Sequence, residues 1–155
     1  MAFQTYNLTL DTATQLKDAG LVAADAAGQV SSAAAYVDLG AANAYAKFAV
    51  VIDWTACEVA SGDEVYDIQV QGSTASSFST KYILASKKFG DSSVTLQPVD
   101  TAASGRAVIF CDNVATTSAS DPASQIACQY IRVYADVGGT IASGFNYTAW
   151  FVPLP

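Results

Sequence analysis

Apolar and polar residues alternate in short runs along much of this chain, with a period of two rather than 3.6. The run Lys47-Phe48-Ala49-Val50-Val51-Ile52-Asp53-Trp54 sets Phe48, Val50, Ile52 and Trp54 on one face. Its near-continuous apolarity predicts a central strand covered on both sides. After a turn at Ser61-Gly62-Asp63-Glu64, the run from Val65 to Gln71 points Tyr66, Ile68 and Val70 inward and Asp67, Gln69 and Gln71 outward, the pattern of a half-exposed strand. Further on, Ile131 and Val133 share one face, and Tyr130, Arg132 and Tyr134 the other.

Shorter runs fill the gaps. Tyr82 to Ala85 with Lys87-Lys88-Phe89 makes a weaker element that ends at Gly90-Asp91, and Arg106 to Cys111 makes another short strand. Val94 to Val99 carries Pro98; proline cannot donate to a ladder, so an edge strand is expected there. A polar loop from Asp112 to Gln125 precedes a strand starting at Ile126, and Gly138 to Gly144 leads into a last strand, Asn146 to Val152. About seven or eight strands with turns between them, and little helix, predict an all-β antiparallel sandwich or jelly roll rather than βαβ units.

The N-terminal part reads differently. Thr5 to Leu10 alternates, and Asp11 is placed to cap one or two helical turns that Gly20 ends. Thr12 and Thr14 are poor helix formers, so an extended arm with a turn fits equally well. From Leu21 to Ala35 the chain is mostly Ala, Gly and Ser, as expected of a loop or arm lying on something. The organisation expected is therefore an N-terminal arm with an Ala/Ser-rich segment over 1–35, then a β-sandwich over 36–155.

A chain of 155 residues fits one domain. At this size about 68–70% of the unfolded surface is buried, and a 52% hydrophobic composition fills such a core without disulfides or a structural metal. The balance of 14 acidic to 7 basic residues gives a net charge of −7. The cations are scattered at 17, 47, 81, 87, 88, 106 and 132, with no basic stripe, which argues against direct nucleic-acid binding and against anionic membrane surfaces. Only 14% of residues are charged, and such a surface suits contact with other proteins. Cys57, Cys111 and Cys128 follow no metal-ligand spacing and read as small core residues. Met1 to Tyr6 turns polar at once, so the expectation is a chain made and kept in a reducing cytoplasm. No run approaches the roughly 20 apolar residues of a membrane span.

Candidate chemistry is sparse. Histidine is absent, which leaves the chain poorly equipped for proton transfer, nucleophile activation or metal chemistry. Asp53, Glu58, Asp63, Glu64 and Asp67 form the one dense supply of carboxylates, and a glycosidase would need two of them facing each other. Asp63-Glu64 with Asp67 falls short of the about six to eight oxygens calcium takes, and reads as a polar turn. The glycine stretches at Gly72 and Gly138-Gly139 lack a following helix and read as turns. Among the larger aromatics, Tyr36, Tyr45, Trp54, Tyr82, Tyr130, Tyr134, Tyr147 and Trp150 read mainly as core or protein interface, with sugar stacking as the alternative. No cofactor and no catalytic residue are expected.

Three stretches in order carry a resemblance: Tyr6 to Leu16 with Asp18-Ala19-Gly20, then Ser61 to Ser73, then Tyr130 to Tyr134 with Gly144 to Ala149. Together they resemble the jelly-roll capsid cement proteins of short-tailed bacteriophages, over almost the whole chain. That resemblance implies a decoration protein without an active site. It would bind the outside of the head where major capsid subunits meet, act as a small homo-oligomer, a dimer, and so reside on the outer capsid surface of the virion. The residues themselves point to Phe3, Tyr6, Leu8 and Leu10, ahead of the first core strand, as an arm that orders on the capsid, joined by Tyr147. If Tyr6 to Leu10 is instead the first strand, the loops Ser73 to Ser77 and Gly138 to Gly144 take over that role. The competing reading is a jelly-roll carbohydrate-binding or receptor-recognition module on a virion.

Overall fold

The computed structural model describes residues 10–40, 45–90, 104–118, 120–121 and 123–155. Eight strands among them carry the architecture: β1 Gln15–Lys17, β2 Ala26–Ala27, β3 Lys47–Cys57, β4 Val65–Ser73, β5 Tyr82–Gly90, β6 Gly105–Asp112, β7 Tyr130–Gly138 and β8 Phe145–Pro153. One sheet runs β1-β8-β3-β6 and the other β2-β7-β4-β5, every pair antiparallel. Leu21–Val22 adds to β8 in the first sheet and Val37–Asp38 to β7 in the second. The described residues contain no α-helix. The expected helical turn is a single 3₁₀ turn, Thr12–Thr14, capped by Asp11, whose side chain accepts from the Ala13 amide at 2.9 Å.

The period-two pattern explains how the sheets meet. Phe48, Val50, Ile52 and Trp54 of β3 and Phe145, Tyr147, Ala149 and Phe151 of β8 pack in one core with Tyr66, Ile68 and Val70 of β4 and Ile131, Val133 and Ala135 of β7. The protein is thus a β-sandwich. Phe145 is the hub of the aromatic packing, with ring centres 4.8 Å from Phe89, 5.2 Å from Tyr147 and 5.3 Å from Tyr66. Each such side chain stabilises the fold by about 1.5–3 kcal/mol through area removed from water. The second face of β3 is covered too, because Ala49, Val51 and Val152 form a separate buried cluster with Leu10, Val108 and Leu154 beside it.

Several expectations need correction. The strand expected around Pro98 lies outside the described residues. Within residues 21–35, expected as a loop or arm lying on something, short pieces pair along both sheets, Leu21–Val22 on β8 and Ala26–Ala27 on β7. Small residues permit this closeness. Gly144 holds a φ of +104° directly under the Val22 carbonyl, where a Cβ would collide.

The loop expected from Asp112 to Gln125 instead carries half of a ladder, Val114–Thr116 against Gln125–Ala127. The strand expected to run on from Ile126 is broken at Cys128, and only from Tyr130 does the chain enter the second sheet. Buried Asn113 holds this break, its Nδ2 donating to the Cys128 carbonyl at 2.9 Å and its Oδ1 accepting from the Ala46 amide at 2.8 Å. Gln69 and Gln71 do face outward, yet they are 6% and 2% exposed. The cause of that burial is the most distinctive surface of the molecule.

Candidate functional site

β4 and β7 lie side by side in the second sheet, with Tyr130 opposite Ser73, Arg132 opposite Gln71, Tyr134 opposite Gln69 and Asp136 opposite Asp67. Alternation places these pairs on the outward face, since Ile131, Val133 and Ala135 point into the core. Arg132 donates from both Nε and Nη2 to Gln71 Oε1, at 3.0 and 2.8 Å. Gln71 passes a hydrogen bond to Gln69 at 2.8 Å, and Gln69 donates to Asp136 at 3.3 Å. The two glutamines are therefore buried polar groups with their needs met by neighbours on the same face.

The loop after β4 folds back over this network. Ser73 Oγ donates to the Thr80 carbonyl at 2.7 Å and accepts from the Ala75 amide, while the Phe78 amide donates to the Ala75 carbonyl. These bonds hold Phe78 at a φ of 50°, in the left-handed region that side-chain-bearing residues avoid. The Phe78 ring, 5% exposed, has its centre 4.3 Å from the Arg132 guanidinium carbon, and Tyr134 lies 5.4 Å from it. Both distances are those of cation–π contacts. Tyr36, 45% exposed, packs edge-on to Tyr130 at 5.6 Å and near Phe78 at 6.2 Å. Gln129 continues the patch by donating to Asp38 at 2.9 Å and to the Tyr130 hydroxyl at 3.3 Å. That bond, with one from the Gly40 amide, holds the Asp38 carboxyl below its usual range.

The electrostatics of this face are unusual. Burial lowers the Arg132 pKa, which marks a guanidinium partly withdrawn from water. On the outer face of the other sheet, Arg106 meets Asp53 in a bidentate pair with both arms at 2.6 Å. Arg132 forms no such pair among the described residues, and its acceptor is a neutral amide.

The carboxylates at one end of the sandwich act as loop ties. Glu64 is fully buried and accepts from the amides of Ser61 at 2.5 Å, Gly62 at 2.9 Å and Asp63 at 3.0 Å. Glu58 Oε2 accepts from the amides of Ala142, Ser143 and Gly144, and Asp63 accepts from the Thr140 amide and hydroxyl. The amides of Ser143 and then Ala142 hold the Glu58 carboxyl below its ordinary value. The Gly138 to Gly144 loop, one of the expected contact loops, is thereby pinned to the β3–β4 turn. The other, residues 74–77, is exposed at the rim of the Phe78 patch.

Of the residues expected to touch a capsid, Phe3, Tyr6 and Leu8 lie outside the described residues. Leu10 is half-buried against the Ala49, Val51 and Val152 cluster, on the outer face of the first sheet. Tyr147 is a correction: it is 1% exposed, on the inward face of β8 with Phe145 and Ala149, and burial raises its hydroxyl pKa. It is a core residue. Its neighbour Lys17, also buried, sits 4.7 Å over its ring and donates to the carbonyls of Asp18 and Gly20.

Sequence reasoning missed Phe78 and Lys17. Phe78 sits in a Ser/Thr-rich loop with no periodicity, and the signal that remained was a large apolar residue where only small polar ones belong. In comparisons with known proteins, no family model matches this chain and no curated protein matches it.

Proposed function

We propose that this chain is a non-catalytic docking protein, a capsid cement protein that binds the outer surface of a phage head and stabilises contacts between major capsid subunits. The observation that carries the reading is the outward face of the second sheet, where Tyr36, Tyr130 and Tyr134 surround Arg132 and Phe78. Tyr and Arg on an ordered, low-charge surface are the composition of protein-binding hot spots. The strand orders β1-β8-β3-β6 and β2-β7-β4-β5 also favour a jelly roll, since two Greek keys wound together produce them. Two of the stretches that resemble cement proteins, Ser61 to Ser73 and Tyr130 to Tyr134, meet on this face through the β4–β7 ladder.

A cement protein that prefers the assembled lattice to free subunits adds its binding energy to lattice stability. A dimer gripping two subunits would gain further through effective concentration. The test is sedimentation of the purified protein with expanded phage heads lacking it, followed by cryo-electron microscopy of the complex. Density straddling neighbouring coat subunits supports the reading, and failure to cosediment overturns it. The exposed Tyr36 ring beside Tyr130 favours a saccharide-binding module as the second reading, and a glycan array decides it.

A further inference from the structure

Arg132 lies half-buried among aromatic rings and neutral amides. Its Nε and Nη2 converge on one oxygen, Gln71 Oε1, so one edge of the guanidinium is fixed against the sheet. The edge bearing Nη1 has no acceptor among the described residues. Phe78 and Tyr134 set the plane of the group, which is therefore oriented before any partner arrives.

We propose that a protein partner docks on this face by placing an aspartate or glutamate carboxylate against the Nη1 edge of Arg132. The inference rests on reading the face as a protein-binding surface. A partner that covers the face removes the water that now solvates the guanidinium. A buried charge without a counter-charge is strongly unfavourable, so the partner must bring one. Gln71 is neutral and already engaged, and a backbone carbonyl from the partner would be neutral as well. A carboxylate supplies the charge and two oxygens that match the guanidinium fork. The chain as a whole carries −7, so an acidic partner is repelled by much of the surface and attracted at Arg132, which sets its register. Tyr36 and Tyr134 provide the surrounding contact that keeps water from the pair.

The experiment compares wild type, Arg132→Gln and Arg132→Lys for binding to expanded heads that lack this protein, by sedimentation at low and at physiological salt. Arg132→Gln is expected to weaken binding by at least about tenfold and Arg132→Lys by less, because lysine keeps the charge and loses the fork. Binding of Arg132→Gln equal to wild type overturns the proposal. If wild type itself does not bind heads, the capsid reading falls and Arg132 is judged separately, by titrating glutarate into ¹⁵N-labelled protein at constant ionic strength. A saturable shift of the Arg132 Nε–H signal supports the carboxylate site, and a response no greater than that to sodium chloride overturns it. Glucuronate saturating at about tenfold lower concentration than glutarate would assign the site to an acidic glycan, overturning a protein partner.

Discussion

Phe78 lies against Arg132, ring centre to guanidinium carbon 4.3 Å, while its own backbone holds a φ of 50°. The left-handed conformation costs about 1 kcal/mol for a residue with a Cβ, and here ring burial and the Ser73 hydroxyl bonds offset it. Phe78→Ala is expected to lose about 3 kcal/mol in urea denaturation, the low end for a phenylalanine because the ring closes a surface and not the central core. Phe78→Gly should be no less stable than Phe78→Ala, the reverse of the usual order in ordered structure. A glycine variant weaker by a further kcal/mol would show that the backbone is not held in this region.

Acid should loosen the end of the sandwich tied by Glu58. Its carboxyl is held below the ordinary 4.5 by the amides of Ser143 and Ala142. A folded pKa below the unfolded one gives stability that is fully present above the unfolded value and lost as pH falls through the folded one. The urea midpoint should therefore be level over about pH 6–8 and fall below pH 4.5, with Asp38 adding to the fall in the same direction. Glu58→Gln removes the titrating group, and its profile should be the shallower of the two; identical profiles would refute the assignment.

The three cysteines are free and should be quiet. Burial pushes the Cys111 thiol up to about 12, and it raises Cys57 and Cys128 as well. Thiolate is the reactive form, so at pH 8 an aromatic disulfide reagent should label native protein at least about tenfold more slowly than protein in urea. Fast native labelling of even one thiol would contradict the burial described above.

A further test concerns close approach in the second sheet. A Cβ on Gly72 would sit 2.7 Å from both Cβ and Sγ of Cys128 and 2.9 Å from Leu84 Cδ1. Gly72→Ala is thus expected to cost about 1–3 kcal/mol by overpacking. Cys128→Ala in the same chain should restore part of that loss, so the double variant should be more stable than the two single losses added together. Because alanine keeps the Cys128 Cβ, strict additivity, measured by denaturant midpoints, would show that the Sγ contact carries none of the strain.

The long strands were legible because burial imposes a period of two that survives without tertiary information. Phe48, Val50, Ile52 and Trp54 share a core face as their spacing required, and Ile131 and Val133 do the same. That spacing also places Tyr147 with Phe145 and Ala149 inside, so its assignment to a contact surface set aside a signal that was present. Gln69 and Gln71 had the right side but the wrong exposure, since their cover comes from Arg132 and Phe78, far away in sequence or in an aperiodic loop. The two-residue pieces Leu21–Val22, Ala26–Ala27 and Val37–Asp38 have no period to detect, and they are held as strands by the edges that β8 and β7 present to them.

In the first sheet, Gln15 pairs with Trp150 and Leu21 with Asn146, nearly the whole length of the chain apart. During synthesis these early residues leave the ribosome long before their β8 partners exist, and Leu16, fully enclosed in the finished protein, lacks its sheet neighbour until β8 is made. Closing so wide a loop carries a high entropic barrier, so the sandwich should fold slowly for its size, with pairing of its first and last strands among the late steps.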